Sequence, residues 1–375
     1  MIKISNIKQD LFLLSLFLYP LVFLNHALYL IPQFLLILIL FFQDKKKNDY
    51  MTILLIFLFL SCFIPMLIEL NSKNTLYDMV SKMFINLVTI IMLGYNNMIL
   101  SERSRKGILY IVFVWLVLVL FAYTITGFGN LSSLYYLLKA GGVNSSDLYN
   151  AAEPISIIFL TKNITAMFVV AIFAFYVYLS DCLDRKIGYF EFLLFFITIC
   201  AFLSRQAILA FFVMLFLYKF KTGGRYIKFS FSILSSLIIF WFVTSFINLD
   251  NSNDGASERV YLWKYFFSTV DQYLFWGLGF DGLNEFVQRV SEVGNFHMFF
   301  MNQIGLYGVF HFIFFNILLF LIYKKNNTTS KIYLIAAYIL NVLFQTYGYE
   351  YGNLFLFMIM MMDVLKDKKS YKRTV

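Results

Sequence analysis

The sequence predicts an all-α polytopic membrane protein, with a single integral membrane domain over residues 1–375. Hydrophobic residues make up 61% of the chain and charged residues only 14%, whereas a typical soluble domain carries about 25% charged residues. Apolar runs long enough to cross a hydrocarbon core of ~30 Å recur from Leu11 to Leu365. Basic residues cluster between alternate runs, as membrane topology requires. These three observations exclude a soluble globular protein.

The apolar runs predict about 12 transmembrane helices. Lys3 and Lys8 precede the apolar run Leu11–Leu24 as in a signal sequence, but no small-residue cleavage site follows, so we expect a retained first helix. The predicted spans are residues 11–25, 27–42, 51–69, 82–99, 107–125, 160–180, 188–203, 206–220, 229–247, 298–322, 332–348 and 352–365.

The basic residues predict that both termini lie inside the cell. Most of the 30 Lys and Arg residues fall in the predicted inner connections, including Lys45–Lys47, Lys219–Lys228 and Lys366–Arg373, which satisfies the positive-inside rule. The net charge of +9 therefore indicates orientation in a membrane and not a nucleic-acid partner. Topology leaves eight basic residues unexplained, so each is a candidate for a functional role. They are Lys73, Lys82, Lys139, Lys162, Arg205, Arg259, Lys264 and Arg289.

Arg205 interrupts apolar sequence, between Phe192–Leu203 and Ala207–Phe220. An isolated Arg in the middle of a membrane helix costs roughly 2.5–3.5 kcal/mol on insertion scales. A single helix over residues 189–218 would be about 45 Å long, too long for the bilayer. We therefore expect two short helices that meet at an outward turn at Ser204-Arg205, where an anion can reach the guanidinium.

Two long connections, 126–159 and 248–297, are predicted on the outer side, and loops of this length are usually functional or disordered. In the second, a helix is predicted from Ser257, because apolar residues then recur at helical spacing. A turn at Gly277–Gly282 and a second short helix at Leu283–Glu292 follow.

Arg259 and His297 are the candidate reactive residues of this second connection. Arg259 lies four residues before Trp263, so both share a helix face, and a guanidinium there can pair with phosphate oxygens in bidentate fashion. His297 lies where span 10 begins, and an imidazole with a near-neutral pKa can take a proton from an attacking hydroxyl. The alternatives are that Arg205 anchors a helix end at lipid headgroups, that Arg259 forms a surface salt bridge, and that His297 has no chemical role.

The glycines of the same connection match the dinucleotide fingerprint literally, as Gly277-x-Gly279-x-x-Gly282. The motif follows a helix-like stretch and lies on the predicted outer side, so we expect instead a turn that brings backbone close to a substrate. The aromatic segment Tyr347–Gly352 is predicted to be an interfacial belt; the alternative is a surface that stacks on sugar rings.

No metal or cofactor is expected. Cys62, Cys182 and Cys200 lack metal-like spacing, and no Asp-x-Asp or His-x-x-x-His pattern occurs on the predicted outer side. His26 and His311 have no partner cluster and are interpreted as structural. Weaker site candidates are polar residues near the predicted outer face: Glu153, Lys162, Asn163 and Glu350.

In order and placement, the motifs between residues 203 and 309 resemble those of the bacterial O-antigen polymerase and ligase superfamily. This family usually has His-Asn at the end of the loop, whereas here Met298 follows His297 and Asn302 comes later. The matching motifs are Leu203-Ser204-Arg205, Glu258-Arg259-x-x-x-Trp263, Gly277-x-Gly279, and His297 followed by Gly305-Leu306-Tyr307-Gly308.

The resemblance implies a GT-C-like glycosyltransferase on the outer, periplasmic face of the bacterial inner membrane. Its donor would be a glycan on undecaprenyl diphosphate, with no nucleotide sugar or metal. Arg205 and Arg259 would hold the diphosphate, and His297 would position or deprotonate the acceptor hydroxyl. The resemblance also implies a chain-length regulator and a flippase as partners. Further substrate-binding residues would be Trp263, Gly277, Gly279, Arg289 and Lys162.

Three functions remain open at this point. A polymerase would transfer the glycan to another lipid-linked repeat unit, and this is the function we expect. A ligase would transfer it to the lipid A-core oligosaccharide. A flippase or other carrier would instead need charges along a path through the bilayer, whereas the arginines here lie near one predicted face.

Overall fold

The computed structural model describes residues 2–22, 25, 27–43, 49–68, 73–96, 98–125, 132, 148, 150–226, 229, 230, 233, 236, 237, 255–292, 294–344 and 353–365. Predictions that concern His26, Lys139 and the segment Tyr347–Gly352, with Glu350, lie outside the described residues. Most of the predicted ninth span, 229–247, lies outside them as well.

Within the described part of the chain the fold is mostly helical, with little sheet. Strands β1 (Ile99–Leu100) and β2 (Asp363–Val364) pair in parallel, and two 3₁₀ helices cover Glu153–Ile157 and Val270–Gln272. The α-helices are α1 (Ile2–Leu18), α2 (Leu30–Phe41), α3 (Asp49–Ile68), α4 (Lys73–Asn96), α5 (Glu102–Ile125), α6 (Lys162–Cys182), α7 (Tyr189–Ala201), α8 (Arg205–Thr222), α9 (Gly255–Thr269), α10 (Gly279–Gln288), α11 (Phe299–Lys325), α12 (Lys331–Phe344) and α13 (Phe355–Met360).

Three described helices, α5, α6 and α11, are long and apolar enough to cross a membrane. Helix α5 is apolar on both faces, because Trp115 and Val119 are buried while Phe113 and Phe121 are exposed. A helix that is apolar all round is typical of a large core or of a membrane span. Large apolar side chains are also exposed on other helices, such as Phe320 on α11. The architecture is therefore compatible with a membrane protein.

Eleven of the predicted spans overlap an observed helix. The last one is shorter than the sequence predicts, because α13 covers only six residues of the predicted span 352–365. After α13 the backbone pairs with the segment around β1: the Asp363 N–H donates to Met98 O at 2.7 Å, and the Leu365 N–H donates to Leu100 O at 2.9 Å. Backbone groups that are used in this pairing cannot also extend the helix.

Helix α6 is the centre of the bundle. It packs against α5, α7, α8, α12 and α13, and every side chain from Thr165 to Ser180 is buried. The Phe173 ring contacts Phe195 of α7 and Phe211 of α8, with centroid separations of 5.0 and 4.7 Å. Because its neighbours pack against it along its length, α6 determines which of their ends lie beside its own first and last turns.

His311 lies in the contact between α3 and α11. Its side chain is fully buried, and its Nδ1 lies 2.9 Å from Ser61 Oγ. The Tyr307 ring packs against the imidazole, with centroids 4.5 Å apart. These contacts are consistent with the structural role predicted for His311.

Hydrogen bonds and ion pairs join the predicted inner connections at one end of the bundle. They link the N-terminal helix to the segments that follow α2 and α4, and they link α6, α8 and the connection after α11. The β1–β2 pairing adds the segment after α13 to the same end. The contacts are Lys8–Gln43 at 2.7 Å, Arg103–Asp10 at 2.8 Å, Arg185–Glu102 at 4.0 Å, Lys221–Asp181 at 2.5 Å and Ser330–Asp181 at 2.5 Å.

Helices α9 and α10 form a small module around aromatic side chains. The Phe266 ring contacts Tyr273 and Phe296, and Tyr265 stacks on Phe286 at 5.4 Å. The predicted helix from Ser257 is confirmed by α9. Helix α10 begins at Gly279, four residues before the predicted start, so Gly282 lies within a helix and not in a turn.

Two glycines allow this module to dock on α11. Gly277 and Gly308 have φ angles of +73° and +80°, in the left-handed region that favours glycine. The Gly308 conformation interrupts α11, and the Leu278 N–H donates to Gly305 O at 2.7 Å. A Cβ atom at residue 277 would lie 2.4 Å from Leu306 O. The close approach that Gly277 permits is therefore between two segments of protein backbone.

We predict that Gly277→Ala destabilises the protein by more than about 1 kcal/mol, because alanine disfavours the left-handed conformation and its Cβ would collide with backbone. Thermal unfolding in detergent measures the effect. Gly224→Ala is the control, since a Cβ there meets nothing within 4 Å. Equal melting temperatures for the two variants would contradict this account.

Candidate functional site

Arg205 is the first residue of α8 and follows a tight turn after α7. Leu203 in this turn has a φ of +53°, which is uncommon for a residue with a Cβ, and its N–H donates to Cys200 O at 2.9 Å. Ser204 is extended, and the helix then restarts. The predicted break into two short helices is confirmed, with 13 residues in α7 and 18 in α8.

The first turn of α6 lies beside the first turn of α8. Ser204 Oγ donates to Asn163 Oδ1 at 2.8 Å and joins the two helix ends. Lys162, the first residue of α6, is only 6% exposed, and its ammonium interacts electrostatically with the Arg205 guanidinium. These like charges repel one another, so a bound anion would stabilise the arrangement.

Arg259 reaches the same place from α9. Its Nη2 lies 3.5 Å from Oε1 of Gln206 on the first turn of α8, and its charge acts on the His297 imidazole. The neighbouring carboxylate, Glu258, accepts a hydrogen bond from Ser291 Oγ at 2.5 Å. Residues that are far apart in sequence therefore meet at the N-terminal ends of α6 and α8. We call Lys162, Arg205 and Arg259 the cation cluster.

His297 is held in a left-handed conformation next to this cluster, with a φ of +51°. For a residue other than glycine this costs on the order of 1–3 kcal/mol and persists only where the surroundings enforce it. The His297 N–H donates to Asn295 Oδ1 at 2.9 Å, and the Phe296 N–H donates to Asn302 Oδ1 at 2.8 Å. Asn302 is buried. These two side chains fix the backbone from which the imidazole projects.

The surroundings keep the His297 imidazole neutral at pH 7. Burial lowers the pKa of His297 below its usual value, and repulsion from Arg259 lowers it further, while Glu258 opposes the shift. A neutral imidazole has a nitrogen lone pair that can accept a proton. His297 is thus in the protonation state that a general base requires.

The electrostatics of the site favour an anion. Two helix N-termini meet here, each with a partial positive charge from its backbone. Lys162 and Arg205 stand at the first positions of these helices, where a cation is unfavourable in the absence of an anion. Among the described residues that these contacts link, three cations accompany one carboxylate, Glu258. A ligand with several anionic oxygens, such as a phosphate or diphosphate, matches this arrangement.

Two buried N–H groups at this site have no hydrogen-bond partner within the described part of the chain. They are Gln206 Nε2 and Trp263 Nε1. Trp263 lies one helical turn after Arg259 on the same face of α9, as the spacing predicts. A buried donor without a partner costs about 1–3 kcal/mol. The fold therefore leaves two buried donors unsatisfied, one on Gln206, which contacts Arg259, and one on Trp263, on the same helix as Arg259.

Gly277, Gly279 and Arg289 lie in other surroundings. Gly277 and Gly279 both have positive φ angles, of +73° and +75°, and Gly277 contacts α11. Arg289 follows α10, is exposed, and lies over the Phe286 ring at 5.5 Å. None of the described contacts joins these residues to the cation cluster, so their substrate-binding roles stay predictions.

No group of three or more His, Cys, Asp or Glu side chains that could hold a metal ion occurs among the described residues. The described side chains of the site are instead cations, amides, hydroxyls, an indole and an imidazole.

The polar residues that position the charged ones were not predicted as site residues. Gln206, Ser291 and Asn295 are neutral and follow turns or helix ends, where such residues are common in any protein. Asn302 stands out in the sequence only through the resemblance, because the O-antigen polymerase and ligase superfamily usually has Asn directly after His. Their roles follow from contacts between distant segments.

No protein-family model matches this chain, and no curated protein is significantly similar to it.

We predict that Arg259→Gln and Glu258→Gln shift the His297 pKa in opposite directions. Removal of the Arg259 charge raises the pKa, because the imidazolium is no longer repelled, and removal of the Glu258 charge lowers it further. NMR titration of the ring protons measures both shifts. The chain has 3 histidines, and His297→Asn assigns the signal. Shifts in the same direction would show that Arg259 and Glu258 do not act on the imidazole as described.

Proposed function

We propose that this protein is a glycosyltransferase of the bacterial inner membrane that uses a glycan on undecaprenyl diphosphate as its donor. In the form that we favour, it is an O-antigen or surface-polysaccharide polymerase. It transfers the glycan to the non-reducing end of another lipid-linked repeat unit. Its site faces the periplasm, and a flippase and a chain-length regulator are its expected partners.

The observation that carries the proposal is the convergence of Lys162, Arg205, Arg259 and His297 at one end of the helical bundle. These four residues come from four separate segments of the chain. The Gln206–Arg259 contact at 3.5 Å joins two of these segments, α8 and α9. A diphosphate leaving group needs fixed cations where negative charge develops. A base beside these cations is the second requirement for transfer to a hydroxyl.

The proposed reaction is a displacement at the anomeric carbon of the donor glycan. The acceptor hydroxyl oxygen forms the new bond to this carbon and gives its proton to the neutral imidazole of His297. The bond between the anomeric carbon and the diphosphate oxygen breaks, and its electron pair stays on the diphosphate. The cation cluster stabilises the charge that develops there. The polyprenyl chain is apolar and remains in lipid.

The distribution of charge supports an enzyme over a carrier. A carrier of a charged lipid-linked glycan needs polar groups along a path through the bilayer. The cation cluster instead lies at the N-terminal end of α6, and the side chains of this helix are buried in an apolar core from Thr165 to Ser180. A cluster at one end suits chemistry at one membrane face.

A ligase would use the same donor site with a different acceptor, the lipid A-core oligosaccharide. The cation cluster recognises only the donor, so the acceptor decides between the two activities. The surface polysaccharide of a deletion strain separates them. Loss of a polymerase leaves a single repeat unit on the core, whereas loss of a ligase leaves bare core with the polymer still on its lipid carrier.

We predict that Arg205→Ala and Arg259→Ala each slow transfer by about 10²–10³-fold, the usual effect of removing one preorganised group that stabilises developing charge. The deletion strain is complemented with each variant, and its surface polysaccharide is separated by gel electrophoresis. Both variants are expected to give a single repeat unit in place of a ladder. Protein levels in the membrane are compared by immunoblot.

Lys264→Ala is the matched control, because Lys264 is an exposed cation on the same helix as Arg259. It is expected to keep the normal ladder. Normal chain length in both arginine variants would refute the proposal. Retention of unflipped repeat units on the cytoplasmic side would indicate a carrier.

A further inference from the structure

The side-chain amide of Gln206 has a defined orientation at the site. A guanidinium has only donors, so the group that Gln206 presents to Arg259 Nη2 is its Oε1, at 3.5 Å. The amide nitrogen must then point away from Arg259. This Nε2 is buried and has no hydrogen-bond partner in the described part of the chain.

Trp263 contributes a second donor of the same kind. Its indole packs against the hydrophobic core, while its buried Nε1–H also lacks a partner among the described residues. Trp263 follows Arg259 by four residues on α9, so the two side chains project from one face of that helix. Gln206, which contacts Arg259, and Trp263, on the Arg259 face of α9, therefore each carry one donor without a partner in the described part of the chain.

The chemistry of these donors selects the kind of oxygen that can satisfy them. The Oε1 atom of Gln206 is already used by Arg259, and an indole has no acceptor. The two side chains therefore offer only donors, and Gln206 lies against the Arg259 guanidinium. A sugar hydroxyl both donates and accepts, whereas an ionised phosphate oxygen only accepts. Hydrogen bonds to charged acceptors are also roughly twice as strong as those between neutral groups.

We infer that Gln206 Nε2–H and Trp263 Nε1–H donate hydrogen bonds to phosphate oxygens of the bound diphosphate. This inference rests on the proposed function, since it takes a polyprenyl diphosphate as the ligand. Gln206 then has two roles in one side chain. Its oxygen holds the Arg259 guanidinium, and its nitrogen binds the same anion that Arg259 neutralises.

The test measures binding of farnesyl diphosphate, a short polyprenyl diphosphate, to the full chain in lipid nanodiscs by calorimetry. Gln206→Met keeps the approximate shape of the side chain and removes the donor, and Trp263→Phe keeps an aromatic ring and removes the N–H. Each variant is expected to raise the Kd by about tenfold, as expected for a lost hydrogen bond to a charged group.

The matched controls are Gln272→Met and Trp276→Phe, because both residues are exposed and lie between α9 and α10. Their Kd values are expected to stay within twofold of the wild type. Unchanged Kd values for Gln206→Met and Trp263→Phe, with normal binding by the wild type, would overturn this inference and leave the proposed function intact. Absence of binding by the wild type itself would instead overturn the proposed function.

A second measurement separates direct contact from positioning of Arg259. Gln206→Met is combined with Arg259→Ala, and the Kd values of the single and double variants are compared. If Gln206 binds the diphosphate directly, its substitution weakens binding further in the Arg259→Ala background. If it acted only through Arg259, the double variant would bind as Arg259→Ala does, and direct contact would be excluded.

Discussion

The core around the central helix α6 is apolar, and the cost of burying unpaired charge there determines where this helix can place its charged groups. The central helix α6 shows this constraint. Its side chains are buried from Thr165 to Ser180, and its charged residues, Lys162 and Asp181, stand at its two ends. Asp181 pairs with Lys221 at one end. At the other end Lys162 meets Arg205, another cation. A cation and a carboxylate thus meet at one end, while two cations meet at the opposite end, and this difference is why we assign the ligand site to the latter.

The same end also contains two backbone conformations that are unusual for the residues that adopt them. Leu203 and His297 both have φ angles near +50°, a region in which glycine would be easier to accommodate. The turn at Leu203 places Arg205 on the first turn of α8, and the conformation of His297 is held by the amides of Asn295 and Asn302. Strain of this kind concentrates at functional sites, where the surrounding structure maintains it. Both conformations set the position of a side chain that the proposed reaction uses.

Local features of the sequence predict much of the fold, and long-range contacts account for the rest. The lone Arg205 in apolar sequence predicted the break between α7 and α8. Two local facts are enough for this prediction: the cost of a charge in the middle of a membrane helix, and the excessive length of one continuous helix. The meeting of Arg259 with Gln206 has no local signal, since 53 residues separate them. The glycine spacing at Gly277 and Gly279 suggested that the backbone there approaches a substrate. In the structure the backbone at Gly277 instead approaches α11, a contact that has no signal in the local sequence. The apolar segment 352–365 reads as one helix, yet its end pairs with β1, from a distant part of the chain.

For the proposed reaction, the two ends of the bundle must face opposite sides of the membrane, with the cation cluster outside. Single cysteines report the side of the membrane on which a residue lies. The native cysteines, Cys62, Cys182 and Cys200, are first replaced. A single cysteine is then placed at Lys264 or at Arg103, because both positions are exposed and lie at opposite ends of the bundle. A membrane-impermeant maleimide added to intact spheroplasts should label residue 264 at once and residue 103 only after permeabilisation. Labelling of residue 103 from outside, or of both positions from one side, would contradict the account.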